Sequence, residues 1–144
     1  MSTLPYSNPP GYAAELGNHF SYSQAVRLPG NILKISGQGG WDPSSGNIPA
    51  PTSAEAMLDQ VARAFANVDD VLRAAGSSRG WGNVYLVRAY LVGMEDFDGA
   101  AVTATKEGLQ KWCPGHRPVL TAVEVKGLAL EGMRVEIEVE AYEG

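Results

Sequence analysis

The longest periodic pattern of apolar residues lies in the middle of the chain. Apolar side chains recur there at spacings of three and four, as on one face of an α-helix, at Leu58, Val61, Phe65, Val68 and Leu72. Thr52–Glu55 has the form of a capping box, in which a hydroxyl accepts an N–H bond and the glutamate reaches back. Gly76 suits the position just after a helix. The pattern predicts a helix between Thr52 and Gly76.

The shorter apolar runs predict β-strands. Strands are expected at residues 22–28, 31–36, 83–92, 118–125 and 133–142. The last strand alternates strictly, with one face formed by Met133, Val135, Ile137, Val139 and Ala141. A second helix is expected from about Glu95 to Trp112, where Gly99 and Gly108 each weaken it by about 1 kcal/mol relative to alanine. Pro114-Gly115 ends this helix.

The order of these elements, β-β-α-β-α-β-β, predicts an α+β fold with two helices on one face of a sheet. The opposite face is expected to carry apolar residues of strand 83–92 together with Leu120 and Ala122. The simplest way to bury that face is to pack it against a second copy of the chain. We therefore expect a homo-oligomer with pockets between its subunits. Residues 1–20 show no apolar period and are interpreted as an N-terminal arm, and residues 21–144 as a single domain.

The composition limits the classes of partner. The chain has 144 residues and a formal net charge of −5, so nucleic acid, which requires clustered basic residues, is not expected as a partner. No stretch is long and apolar enough to span a bilayer, so no membrane partner is expected. The first 26 residues contain no Lys or Arg, which argues against a targeting peptide, and a single cysteine fits a reducing compartment. We therefore expect a cytoplasmic protein.

Three glutamates share the outward face of the last strand, namely Glu136, Glu138 and Glu140. In a monomer they would form a solvated face with Arg134 as their ionic partner. If an oligomer buries this face, burial among like charges raises the pKa of a carboxyl toward the range of a general acid or base. The sequence leaves both interpretations open.

The glycine-rich segment 36–40 follows a predicted strand and lacks the ending of a phosphate-binding loop. It is interpreted either as a bend or as a place where the amides of Gly37 and Gln38 meet a small ligand, because glycine permits close backbone approach.

Another polar segment precedes the strand at 118–125. Cys113 and His116 lie in a Pro-Gly loop, which does not favour a nucleophile and base pair. Since the two histidines, His19 and His116, are far apart, no metal site is expected. Arg117 lies three residues before Leu120, so in a regular strand their side chains point to opposite faces.

Five segments carry a family resemblance: YSQAV at 22–26, SGQ at 36–38, the central helix, and residues 94–105 and 120–141. Together they resemble the Rid family of reactive-intermediate deaminases, also called YjgF/YER057c/UK114, over residues 20–142. The resemblance implies a chorismate-mutase-like fold and a homotrimer whose sheets form a central barrel, with a cleft at each subunit interface. It also implies hydrolysis of imines and enamines to 2-oxo acids and ammonia without a cofactor.

Part of the family's pocket is retained in this chain. The resemblance places the pocket tyrosine at Tyr22, the backbone contacts at Ser36 and Gly37, and the glutamate that positions the attacking water at Glu136.

Three other pocket positions depart from the family. Leu120 stands where deaminating members carry an arginine that binds the substrate carboxylate, Ala122 where they carry a cysteine, and Thr103 where they carry an asparagine. Loss of a charged hydrogen bond costs about 1.5–3 kcal/mol. His116 and Arg117 are the nearest substitutes, although strand geometry is expected to place them elsewhere. An apolar, roomier pocket favours a larger or uncharged ligand.

The expected function is hydrolysis or proton-transfer rearrangement of a reactive imine, enamine or related carbonyl-derived small molecule, with Glu136 as general acid or base. Standard deamination of 2-aminoacrylate is disfavoured by Leu120, unless Arg117, Arg27 or Arg134 reaches the cleft. The alternative is a trimer that binds a ligand or acts as a chaperone or regulator without catalysis. A ribonuclease is disfavoured because the acidic chain lacks a basic patch.

Overall fold

The computed structural model describes all 144 residues. Six strands form one sheet: β1 (Tyr6–Ser7), β2 (Ala25–Leu28), β3 (Ile32–Gly39), β4 (Val84–Leu91), β5 (Val119–Glu124) and β6 (Val135–Tyr142). They are hydrogen-bonded in the order β1-β2-β3-β6-β4-β5. All neighbouring strands are antiparallel except β4 and β5, which run parallel. From residue 21 onward the predicted element order and the α+β class are confirmed.

Three helices accompany the sheet: α1 (Tyr12–Phe20), α2 (Ala54–Ala74) and α3 (Asp96–Trp112). The predicted apolar stripe of α2 faces the sheet, because Val61, Phe65, Val68 and Leu72 are fully buried and Leu58 packs beside them. Helix α3 adds Ala101 and Ala104 to the same core. None of the helices combines the length and the hydropathy needed to cross a bilayer.

The start of α2 differs by one residue from the prediction. Ser53, rather than Thr52, is the N-cap, and its Oγ accepts a 3.1 Å hydrogen bond from the N–H of Ala56. The hydroxyl of Ser53 accepts a hydrogen bond from an N–H group that has no partner within the helix. The predicted capping box of Thr52 and Glu55 does not form.

The end of α2 follows the prediction. Gly76 has φ 86°, and its N–H donates to the carbonyl of Arg73 at 2.9 Å, while the N–H of Ser77 donates to Leu72 at 2.9 Å. These two bonds form a Schellman motif, which requires a left-handed residue and therefore favours glycine.

The alternation of β6 is also as predicted. Val135, Ile137, Val139 and Ala141 are fully buried against the helices, and the glutamates between them point to the other face. That other face bears a charged ladder, in which Arg88 contacts Glu138 at 2.5 Å. The prediction that Arg134 is the ionic partner of these glutamates is wrong. Arg134 precedes β6, and its guanidinium contacts Asp96 and donates a hydrogen bond to the carbonyl of Val92.

The N-terminal residues contain more regular structure than an arm without periodicity suggests. Strand β1 pairs with β2, and α1 follows directly. The buried positions of α1 are Ala13, Leu16 and Gly17, so small residues occupy two of its three inward positions. Such a stripe gives a weak apolar signal, which explains why the sequence pattern missed this helix.

Candidate active site

Strand β6 holds Glu136 on the face of the sheet away from the helices. Its neighbours across the sheet are Gly39 on β3 and Tyr90 on β4. The β3–β6 register shifts between Ile35 and Gln38, which is a β-bulge. Because β3 continues to Gly39, the irregularity lies inside the strand and not at a bend where the strand meets a loop. Within the bulge, Gly37 lies so close to Glu136 that a Cβ atom at residue 37 would overlap the Glu136 carboxylate.

The environment of Glu136 disfavours its charged form. Burial raises the pKa of Glu136 above its ordinary value, and the negative charge of Glu138 raises it further. No hydrogen bond to the carboxylate opposes these effects. A carboxyl of this kind can take up and release a proton closer to neutral pH than a solvated one.

Tyr22 lies near enough to Glu136 for the two groups to interact electrostatically. Burial raises the pKa of the Tyr22 hydroxyl, and the charge of Glu136 contributes in the same direction. The Nε2 group of Gln24 donates a 3.0 Å hydrogen bond to this hydroxyl. The Oγ of Ser36 donates to the carbonyl of Ser23 at 2.8 Å, which joins the strand of Gly37 to the segment that carries Tyr22. The structure thus brings together Tyr22, Ser36, Gly37 and Glu136, which we call the acid group.

Two glutamine side chains lie behind the acid group, and the sequence had suggested a role only for the backbone amide of Gln38. Gln24 and Gln38 are fully buried, and Gln38 Nε2 donates to Gln24 Oε1 at 2.7 Å. Gln24 Nε2 also donates to the carbonyl of Ala13 at 2.7 Å. Gln24 lies directly before the apolar residues Ala25 and Val26, whereas Gln38 lies in the glycine-rich segment, so the sequence contained no clear signal that the two side chains are buried together.

A second set of predicted residues lies around a cavity of about 740 Å³ between α3 and β5. Leu120, Ala122 and Arg117 all line it. The expected position of Leu120 and Ala122 on the uncovered face of the sheet is wrong. Leu120 pairs with Val87 and Ala122 with Ala89, so both side chains face the helices.

The expected orientation of Arg117 is also wrong. It lines the same cavity as Leu120, although a regular strand would point them to opposite faces. The reason is that β5 begins only at Val119, so Arg117 precedes the strand and is free of its alternation.

Thr103 does not line this cavity. It is exposed on α3, while Thr105, Lys106 and Val102 of the same helix contribute to the lining. Thr105 is buried and its hydroxyl donates to the carbonyl of Ala101 at 2.8 Å, so it is not a free polar group of the site.

The loop before β5 contains no reactive pair. His116 Nε2 lies 2.7 Å from the carbonyl oxygen of Val84, which anchors the loop to β4. Burial raises the pKa of the Cys113 thiol to about 11, so the thiol is protonated at neutral pH and is a poor nucleophile. No group of three or more His, Cys, Asp or Glu side chains is placed to hold a metal ion.

The acid group and the cavity face opposite sides of the sheet. Glu136 alternates with the buried residues of β6, whereas Leu120 is in register with the buried residues of β4. Strand β4 separates β6 from β5. One copy of the chain therefore does not join the two sets of residues into one pocket.

Residues 13–143 match the family model described as Endoribonuclease L-PSP, which is nearly the whole chain. The chain belongs to this family, the Rid or YjgF/YER057c/UK114 family. A Rid protein of mouse, named 2-iminobutanoate/2-iminopropanoate deaminase, is 35% identical over 123 residues, which cover 85% of this chain and 82% of the mouse protein. The human protein of the same name is 33% identical, over 85% of this chain and 80% of its own length.

Solved Rid structures share the fold. Yeast Mmf1 superposes with a TM-score of 0.73 at 27% identity, covering 99% of this chain and 100% of Mmf1. Escherichia coli TdcF, solved with bound serine, gives a TM-score of 0.70 at 26% identity, covering 85% of this chain and 88% of TdcF. These similarities establish that the chain has the Rid fold.

Proposed function

We propose that the protein hydrolyses a reactive imine, or the enamine in equilibrium with it, to a carbonyl compound and ammonia. The observation that carries the proposal is the Glu136 carboxyl, which has a raised pKa and lies against Gly37 and beside Tyr22. The deaminase names of the mouse and human relatives support the same reaction class.

The reaction needs one water and a group that moves protons. Glu136 accepts a proton from water as the water oxygen bonds to the imine carbon, and the C=N double bond becomes a single bond whose electron pair passes to nitrogen. Glu136 then returns the proton to that nitrogen, which gives a carbinolamine. Glu136 next accepts the proton of the new hydroxyl and passes it to the amino nitrogen, so that the C–N bond breaks, ammonia leaves and the carbonyl forms. Proton transfer by a positioned carboxyl contributes about 10²–10⁴-fold to such a rate. The backbone at Ser36 and Gly37 contacts the ligand, and Tyr22 orients it.

A homotrimer completes the site in this proposal. The acid group of one subunit meets the cavity of a neighbour, since one chain holds them on opposite faces of its sheet. Strand β5 supports this arrangement, because all six of its residues are exposed in the single chain and Val119 retains 64% of its surface. Light scattering should report a mass three times the 15.3 kDa chain, and a monomer at micromolar concentration would refute the shared site.

Turnover can be tested by generating an imine in the cuvette. Threonine dehydratase acting on threonine releases such an intermediate, and an L-amino acid oxidase with catalase provides imines of larger side chains. We expect the protein to accelerate 2-oxo acid release from at least one of them. Glu136→Gln should lose about 100-fold or more of that acceleration. Glu140→Gln on the same strand face is the matched control and should retain it. Equal activity of Glu136→Gln and wild type would show that another group moves the proton.

One observation favours a second candidate, a trimer that binds a ligand without converting it. Leu120 and Ala122 make the cavity apolar where deaminating members are expected to hold the substrate carboxylate. In that case a ligand binds but no imine is hydrolysed. An RNA-cleaving activity, which the family description names, is opposed by the net charge of −5.

A further inference from the structure

The cavity beside β5 is large and mostly apolar. Its volume of about 740 Å³ falls within the range of about 300–1,000 Å³ that is usual for sites holding drug-sized ligands. Apolar side chains from three elements form its walls, namely Leu91, Val102, Leu109, Leu120 and Ala122. An imine derived from a small amino acid would leave most of this surface in contact with water.

The charged side chains around the cavity have one sign. Lys106 of α3 and Arg117 before β5 both line it, and none of its 14 lining residues is acidic. Neither cation forms an ion pair, because the five ion pairs of the chain use other basic residues. In a chain with a net charge of −5, two unpaired cations at one apolar cavity mark a place for a ligand anion.

We propose that this cavity selects imines of 2-oxo acids that carry a large aliphatic or aromatic side chain. The side chain packs against Leu120 and the other apolar walls, and the carboxylate is bound at the rim by Arg117 and Lys106. This inference rests on the proposed function and names its substrate class. Arg117 can line this cavity together with Leu120 because it precedes β5, which begins only at Val119.

Product analogues test the selectivity without any turnover. The probes are straight-chain 2-oxo acids of four, six and eight carbons, 4-phenyl-2-oxobutanoate, and the methyl ester of the eight-carbon acid, measured by calorimetry. Because a buried methylene contributes about 0.8 kcal/mol, affinity should rise about fourfold for each added carbon until the cavity is filled. The ester should bind at least about tenfold more weakly than the acid. Equal affinity for the four- and eight-carbon acids would overturn the proposal.

Variants at the rim test the carboxylate contact. Arg117→Gln and Lys106→Gln should each weaken binding of the eight-carbon acid by about tenfold and leave binding of its ester unchanged. Lys111→Gln is the matched control, because Lys111 lies on the same helix but over the ring of Trp112 and outside the cavity. Leu120→Arg should reverse the preference toward the four-carbon acid. Unchanged acid binding in both rim variants would remove the assignment of the anion site.

The two proposals fail in different ways. If long-chain acids bind as expected but no imine is hydrolysed, the proposed reaction is wrong and the ligand class stands. If imines are hydrolysed with a preference for the smallest side chain, the reaction stands and the selectivity proposed for this cavity is wrong.

Discussion

The backbone of Gly37 lies directly against the carboxylate of Glu136, and no side chain at residue 37 fits without moving that carboxylate. The bulge in β3 makes this approach feasible, since it removes residue 37 from the regular register with β6. A glycine on one strand therefore fixes the position of an acid on its neighbour.

Gly37→Ala should reduce turnover far more than it reduces stability. The added methyl group displaces the Glu136 side chain, and misplacing a reacting group by about 1 Å can cost about 100-fold in rate. The φ angle of Gly37 is not positive, so the backbone accepts alanine without strain. Steady-state kinetics and thermal unfolding measure the two effects. Gly127→Ala, where an added Cβ meets open space, should change neither. A fully active Gly37→Ala protein would contradict the proposed placement of the acid.

Two glutamates of β6 should respond to pH with opposite signs. The folded-state pKa of Glu136 is raised, so its charge destabilises the fold at neutral pH, and this penalty disappears as the pH falls through that pKa. A hydrogen bond from Tyr85 lowers the pKa of Glu140, with Lys34 contributing, so its charge stabilises the fold at neutral pH. That stabilisation is lost as the pH falls through the lowered pKa.

Glu136→Gln should therefore raise the melting temperature at pH 7, and the gain should shrink toward pH 4. Glu140→Gln should lower it at pH 7, and the loss should shrink at more acidic pH. Thermal unfolding at one protein concentration across this pH range provides the measurement. The same sign for both variants at pH 7 would show that the two carboxyls do not differ in environment.

The buried glutamine pair should be energetically coupled. Gln38→Leu leaves the buried Oε1 of Gln24 without its donor, and Gln24→Leu leaves Gln38 Nε2 with only the carbonyl of Ser36 as acceptor. Each variant should cost about 1–3 kcal/mol of unfolding free energy. The double variant removes both ends of the 2.7 Å hydrogen bond. It should cost less than the sum of the two single variants by about 1 kcal/mol, as measured by urea denaturation. Strict additivity would mean that this bond is absent in solution.

Gly108→Ala should destabilise the protein although alanine favours helices. A Cβ atom at residue 108 would overlap the ring of Phe65, where α3 packs on α2. Overpacking of this kind costs about 1–3 kcal/mol, which exceeds the gain of about 1 kcal/mol in helix propensity. Chemical denaturation should show the loss.

Glu107→Ala, at the exposed neighbouring position, is the control and should stay within about 0.5 kcal/mol. Phe65→Leu alone destabilises the buried core, but Gly108→Ala should cost less in that background than in the wild type, because the smaller side chain makes room. An equal cost of Gly108→Ala in both backgrounds would point to a cause other than the contact with this ring.

The sequence predicted those features that depend on local pattern. The stripe from Val61 to Leu72 identified α2, and the alternation of β6 placed Glu136 on the face away from the helices. The acid group was assembled from the family resemblance, and the structure places its members together. Helix α1 was not predicted because two of its three buried residues are small and give a weak apolar pattern.

The side of the sheet on which Leu120 lies could not be predicted. It depends on the register of β5 with β4, which is a long-range pairing that no local pattern encodes. The position of Arg117 could not be predicted either, because it depends on the residue at which β5 begins. The cavity and its basic rim thus emerged only from the three-dimensional arrangement of α3, β4 and β5.

Strand β5 contributes little to the core of its own chain, yet it forms one wall of the cavity. Leu120 keeps 46% of its surface exposed, and none of the β5 residues belongs to the buried cluster. Substitutions at such exposed positions change the free energy of unfolding of the chain little. The variant proteins therefore stay above the stability threshold below which function is lost. Side-chain exchanges in this wall can thus alter what the cavity binds while the scaffold persists.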